Sequence, residues 1–181
     1  MKRVFVADHD IMVMSAAQGY FRRQKEITPI YTTDVLEGLR QLTPRELEET
    51  PDGSPRLFGA VIECLWPDAP AMPSSLDWAG LRADDVEEYR ALLAAGEELY
   101  RSAPPLGVLL AMRCDALKAP VVLTAYPTST LNAKKQLAPI HAYVQRRGWK
   151  CYTPERADKQ QADFWDKCVT RFDNKWLQRA M

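Results

Sequence analysis

The chain alternates short, nearly unbroken apolar runs with longer stretches whose apolar residues recur every three or four positions. Runs of the first kind read as strands covered on both faces, and the second kind as helices with one apolar stripe. Residues 3–7 (RVFVA) form the first run, which stops at Asp8-His9-Asp10. Residues 11–24 follow as a helix with Met12, Ala16, Tyr20 and Phe21 inward and Asp10 placed to cap it. Residues 27–32 (ITPIYT) predict a second strand. Pro29 directs it to a sheet edge, because proline has no N–H for a ladder. Residues 34–42 predict a second helix with Val35, Leu36, Leu39 and Leu42 inward. Residues 43–56 are rich in turn formers and read as loop, with one helical turn over 44–49.

The run 57–62 (LFGAVI) shows no alternation, as a central parallel strand should, and ends at Glu63. Three prolines in 67–73 preclude regular structure there. Residues 83–101 predict a helix with Val86, Tyr89, Leu92, Leu93 and Leu99 on one side, stopped by Pro104-Pro105. Its acidic start (Asp84, Asp85, Glu87, Glu88) suits the helix macrodipole. A short helix over 106–113 and a strand over 120–124 (PVVLT) come next. Residues 132–147 predict a helix interrupted at Pro139 and ended by Gly148. Residues 149–152 predict a fifth strand, and 157–177 a final helix with Phe164, Trp165, Cys168, Val169, Phe172 and Trp176 inward. Five strands alternating with helices predict an α/β fold, a parallel sheet with helices on both faces.

Composition narrows the function classes. Lys+Arg and Asp+Glu number 24 each, so the chain lacks the broad positive field that nucleic-acid binding uses. Apolar residues make up 46%, enough for a core without disulfides. Cys64, Cys114, Cys151 and Cys168 are widely spaced with no CxxC pair, so reduced thiols in a cytoplasmic protein are expected. Asp8, His9 and Asp10 interrupt any signal-peptide core, and no apolar run approaches the ~20 residues of a membrane span. Glycine-rich phosphate loops and the GxSxG elbow are absent.

Ligands of doubly wound sheets bind at the carboxyl ends of the strands. The residues there are Asp8, His9 and Asp10, then Glu63, then Thr124, then Thr153. "VFVADHD", "GAVIECLWP", "APVVLTA" and "PLGVLLAMR", in this order, resemble the receiver domain of bacterial response regulators. The resemblance covers about 145 of the 181 positions. It implies a flavodoxin-like, doubly wound five-stranded sheet of order 2-1-3-4-5. It also implies a single domain over 1–181 with an inserted helical segment at about 68–104. That segment contains Trp78 and reads either as a lid or partner-binding helix, or as an extension of the core.

Receivers hold Mg²⁺ with two acidic residues and an acceptor aspartate, and a Thr or Ser and a Lys contact the phosphoryl oxygens. Hard cations call for carboxylates, and a transferred phosphoryl group for surrounding positive charge. Asp8 matches the first acidic position and Thr124 the hydroxyl position. The other three depart. His9 replaces a carboxylate, and imidazole suits transition metals better than Mg²⁺. Asp10 reads as the helix cap rather than its substitute. Glu63 stands at the acceptor position, one methylene too long for the same in-line geometry. Thr153, before Pro154, stands where the family has its lysine, and Lys150 would reach the pocket only with a slipped register. The resemblance thus implies a degenerate phosphoacceptor pocket of Asp8, His9, Asp10, Glu63, Thr124 and Thr153 with no ammonium group among them. Glu63 would supply a permanent negative charge near the place of a phosphoryl group.

The expectation is a pseudo-receiver, not an enzyme, acting in signal transduction by protein–protein interaction. Its partner would be a histidine kinase, another regulator or a second copy in a homodimer, with no nucleic acid and no membrane. No output domain is expected. Tyr126, Trp149 and Tyr152 are the candidate partner surface, and Trp176 is placed for a dimer contact. No cofactor is expected, although Asp8 and Glu63 leave room for Mg²⁺ or another divalent metal. Two alternatives stand beside this reading. One is a small metal-dependent hydrolase or phosphotransfer enzyme using Asp8, His9 and Glu63. The other is a conventional regulator phosphorylated at Glu63 or Asp68. His141 and the run Lys134, Lys135, Arg146, Arg147 and Lys150 read as solvated surface.

Overall fold

The computed structural model describes residues 2–42, 57–67, 81–96, 98, 100–126 and 133–180. The strands are β1 (Lys2–Ala7), β2 (Ile27–Thr32), β3 (Leu57–Glu63), β4 (Val121–Thr124) and β5 (Lys150–Tyr152). All neighbours are parallel, in the order β2-β1-β3-β4-β5. This is the parallel sheet that the pattern predicts, in the flavodoxin-like, doubly wound order that the receiver resemblance implies. Pro29 lies on the edge strand β2, where its missing N–H costs least.

Alternation along each strand divides the core into two layers. Phe5, Ala7, Ala60, Ile62, Val121 and Leu123 face α2 (Val35–Gln41), α3 (Ala83–Ala95), α4 (Gly107–Ala116) and α5 (Ala133–Arg147). Val4, Val6, Phe58, Val61 and Val122 face α1 (Ile11–Phe21) and α7 (Ala162–Ala180). Trp165, Cys168 and Phe172 of α7 fill that second layer. Each such large side chain contributes about 1.5–3 kcal/mol when fully buried.

Local chemistry sets the helix ends. Asp10 caps α1 by accepting from the N–H groups of Met12 (2.8 Å) and Val13 (3.4 Å). Asp34 caps α2 through the N–H of Glu37 at 2.8 Å. Gly148 ends α5 at φ +66, a conformation that favours glycine. The inward face of α1 differs from the expected one: Val13, Met14, Ala17, Tyr20 and Phe21 are buried, and Met12 is 57% exposed. The segment IMVMSAA is apolar at almost every position, so periodicity left its phase open and the cap decided it.

The helix predicted over 83–101 stops at Ala95, before Gly96. It extends the core: Tyr89 and Leu92 are buried, and Asp85 is buried against α5. There Arg147 donates to Asp85 and, at 2.8 Å, to Glu88. Arg147 is therefore a half-buried structural cation, not part of a solvated basic run, and Asp85 serves more than its own helix dipole. Residues 44–49, Asp68, Trp78, Leu99 and the side chain of Trp176 lie outside those described. Among the described residues no helix is long and apolar enough to cross a membrane.

Candidate functional site

Register brings the rim residues level. Ala7 pairs with Ile62, which puts Asp8 beside Glu63, and Glu63 pairs with Thr124. Strand parity then puts all three on one face. Asp8 continues Val4 and Val6, Glu63 follows Val61 at a spacing of two, and Thr124 follows Val122. That face is the one covered by α1 and α7. Thr153 has the opposite parity, since Tyr152 is level with Thr124. It is exposed and lines a separate surface cleft of about 470 Å³ with Tyr152, Asp158 and Lys167.

An ammonium group completes the pocket, contrary to the expectation of none. The final helix is not continuous from 157. A four-residue helix, α6 (Arg156–Lys159), precedes a break at Gln160-Gln161, and α7 begins at Ala162. The break turns Lys159 inward. Its Nζ donates to Asp8 Oδ2 at 2.8 Å and to Glu63 Oε2. Trp165 Nε1 donates to the Lys159 carbonyl at 2.9 Å and fixes the turn. Arg156, three residues earlier, forms a two-pronged ion pair with Asp10. Asp10 is thus cap and anchor at once, and Arg156 opposes the burial that would raise its pKa, leaving it below the ordinary carboxylate range.

The carboxylate oxygens are fully engaged. Glu63 Oε2 also accepts from Thr124 Oγ1 at 3.0 Å, and Oε1 accepts from the Leu65 N–H at 3.2 Å. Asp8 Oδ1 accepts from the Asp10 N–H at 2.9 Å. Glu63 is 2% exposed and Lys159 4%. Above them, Trp66 Nε1 donates to the Glu63 carbonyl at 2.7 Å. Gly107 of α4 packs so close that a Cβ there would lie 1.9 Å from that carbonyl oxygen. Glycine is required by this approach.

Two carboxylates share one ammonium. Burial lifts Glu63 above the ordinary carboxylate range, and Asp8 adds to the lift against the attraction of Lys159. Burial works against the Lys159 charge, but Glu63 and Asp8 outweigh it and hold its pKa above the ordinary lysine value.

The residues do not fit a divalent metal. The oxygens that would bridge a cation, Asp8 Oδ2 and Glu63 Oε2, both hold the Lys159 ammonium. His9 turns outward, its Nδ1 3.8 Å from Asp8 Oδ1 and its ring tilted against Trp66 at 5.9 Å between centroids. Among the described residues no group of three His, Cys, Asp or Glu side chains could hold a metal ion.

Of the expected partner surface, Tyr126 is 49% exposed and Tyr152 half-buried. Trp149 is a correction: it is 8% exposed and stacks edge-on against Tyr143. His141 is exposed, as expected.

Lys159 is the residue that sequence reasoning missed. In an unbroken helix it lies nine positions from Cys168, about 180° from the apolar stripe, on the solvated side. Glu155 followed three residues later by Asp158 marks the start of α6, and no residue of Gln160-Gln161 signals the break. The Glu155 N–H does donate to Asp158 Oδ2 at 3.0 Å. No protein-family model, curated protein or solved structure matches this chain.

Proposed function

We propose that this chain is a pseudo-receiver, a non-enzymatic signalling module that acts by protein–protein contact in the cytoplasm without phosphorylation. One observation carries the reading. In the receiver pattern a hydroxyl residue and a lysine contact the phosphoryl group. Here Thr124 and Lys159 both donate to the carboxylate at the acceptor position, Glu63. The chain itself supplies an acidic side chain where phosphorylation would add charge, and needs no phosphoryl donor for it. The longer glutamate side chain suits this role as well as it unsuits phosphoryl transfer.

The module is held in the state that the engaged pocket favours. Tyr126, exposed just beyond β4, belongs to the contact surface for a histidine kinase, another regulator or a second copy. Asp8 and Glu63, both turned to Lys159, are poorly placed to serve a metal-dependent hydrolase.

Incubation with acetyl phosphate and Mg²⁺, followed by intact-mass measurement, tests the reading. The expected mass is unchanged. One added phosphoryl group, absent from the Glu63→Ala variant, overturns the proposal in favour of a conventional regulator. Tight Mn²⁺ or Zn²⁺ binding that Asp8→Ala abolishes overturns it in favour of the hydrolase.

A further inference from the structure

The surface cleft beside Thr153 opens at the carboxyl end of β5, the end of the sheet where doubly wound folds hold their ligands. Its volume of about 470 Å³ falls within the ~300–1,000 Å³ of small-molecule sites. Part of its wall is apolar. Tyr152 and Phe164 pack in the same layer, between the sheet and α7, and Pro154 adds to the surface they present. Such a wall favours a ligand with an apolar group of its own.

The charges in the wall are of both signs and lack partners. Asp163 and Lys167 lie one turn apart on α7, an acid four residues before a base, the arrangement that ordinarily pairs along a helix. Here neither makes an ion pair or a side-chain hydrogen bond among the described residues, and both line the cleft. Asp158 of α6 uses Oδ2 to accept from the Glu155 N–H, and its Oδ1 has no partner among the described residues. Two acids and one base make the cleft a poor host for a lone anion.

We propose that this cleft binds a free α-amino acid with an apolar side chain. Its ammonium would meet Asp163 and Asp158, and its carboxylate would meet Lys167. Its side chain would cover Tyr152, Phe164 and Pro154. Neighbouring side chains one turn apart on a helix stand ~5–6 Å from each other at Cβ, so a zwitterion set between them answers both charges at once. A lone cation or a lone anion answers only one. The site is separate from Asp8, Glu63 and the Lys159 ammonium and does not rest on the pseudo-receiver reading.

The test is a titration of the full chain with L-phenylalanine at constant pH and ionic strength. Calorimetry reads the binding, and the backbone amide ¹H–¹⁵N signals of residues 161–167 read its place. The expected result is saturable binding with a dissociation constant of about 1 mM or tighter and the largest shifts in that segment. Phenethylamine lacks the carboxylate, hydrocinnamate the ammonium and glycine the side chain, and each should bind at least about tenfold more weakly. Lys167→Gln should weaken L-phenylalanine about tenfold and leave phenethylamine unaffected. Asp163→Asn should weaken L-phenylalanine similarly and leave hydrocinnamate no weaker. Both residues are exposed, so the circular dichroism spectrum of each variant should match the parent. The proposal is overturned if L-phenylalanine gives no saturable shift, if any of the truncated compounds binds as tightly, or if either variant binds L-phenylalanine as well as the parent.

Discussion

The Lys159 ammonium donates to the Glu63 carboxylate across 96 residues of chain, joining α6 to the central strand. With Asp8 it forms a buried set of three charges in which two acids compete for one base. Desolvation makes such a set costly to disrupt one member at a time.

Replacing Lys159 with methionine leaves two buried carboxylates facing each other. The expected loss is about 3–5 kcal/mol, read as a lower urea midpoint with an unchanged slope. Adding Glu63→Gln to Lys159→Met removes one of the stranded charges and should recover part of that loss. An unchanged midpoint in the single variant would place the ammonium outside the pocket.

The pH dependence follows from the two shifts. The folded protein holds the Lys159 proton more tightly than the unfolded chain, whose lysine has the ordinary value of 10.5. Its stabilising contribution is complete below that value and fades as pH climbs through the higher folded one. Glu63 is raised from 4.5, so the unfolded chain releases that proton first and stability declines as pH rises from 4.5 toward the folded value. Denaturation across pH should therefore show the gap between the parent and Lys159→Met narrowing above 10.5, where the ammonium is lost, and again in acid, where Glu63 takes up its proton.

A methyl group at Gly107 must push against the Glu63 carbonyl. Gly107→Ala should destabilise the fold by about 1–3 kcal/mol and disturb the Trp66 indole bonded to the same oxygen. Gly19→Ala is the control. Nothing lies within 4 Å of a Cβ there, and alanine in a helix should stabilise by about 0.5–1 kcal/mol. Thermal melts and tryptophan fluorescence distinguish the two.

Asp85 fastens α3 to α5 through Arg147. Asp85→Ala leaves that guanidinium with Glu88 and Asp115 alone, at an expected cost of about 1.5–3 kcal/mol. Hydrogen exchange should quicken in residues 83–95 more than in β1 or β3. Uniform acceleration across the sheet would mean that α3 is not a separately attached unit.

Much of this arrangement was legible before any coordinates. Unbroken apolar runs identified the strands, and residues closing those runs identified Asp8, Glu63 and Thr124 as neighbours. Thr153 follows its run as Asp8 and Glu63 follow theirs, and only the pairing of Tyr152 with Thr124 puts it on the other face. What stayed hidden was geometry decided by non-local contacts. Lys159 looks solvated in any continuous helix, and only the break secured by Trp165 turns it inward. Arg147 resembles any surface arginine until Asp85 arrives from 62 residues away. The phase of α1 was ambiguous because its apolar residues outnumber the positions facing the sheet.

A cation borne on a side chain has consequences that a bound ion does not. It is present once in every molecule, dilution cannot release it, and a chelator cannot extract it. Whatever surface the filled pocket supports is thus available from the moment the chain folds. On the pseudo-receiver reading proposed above, the quantity of such surface in a cell would follow how fast the polypeptide is made and destroyed.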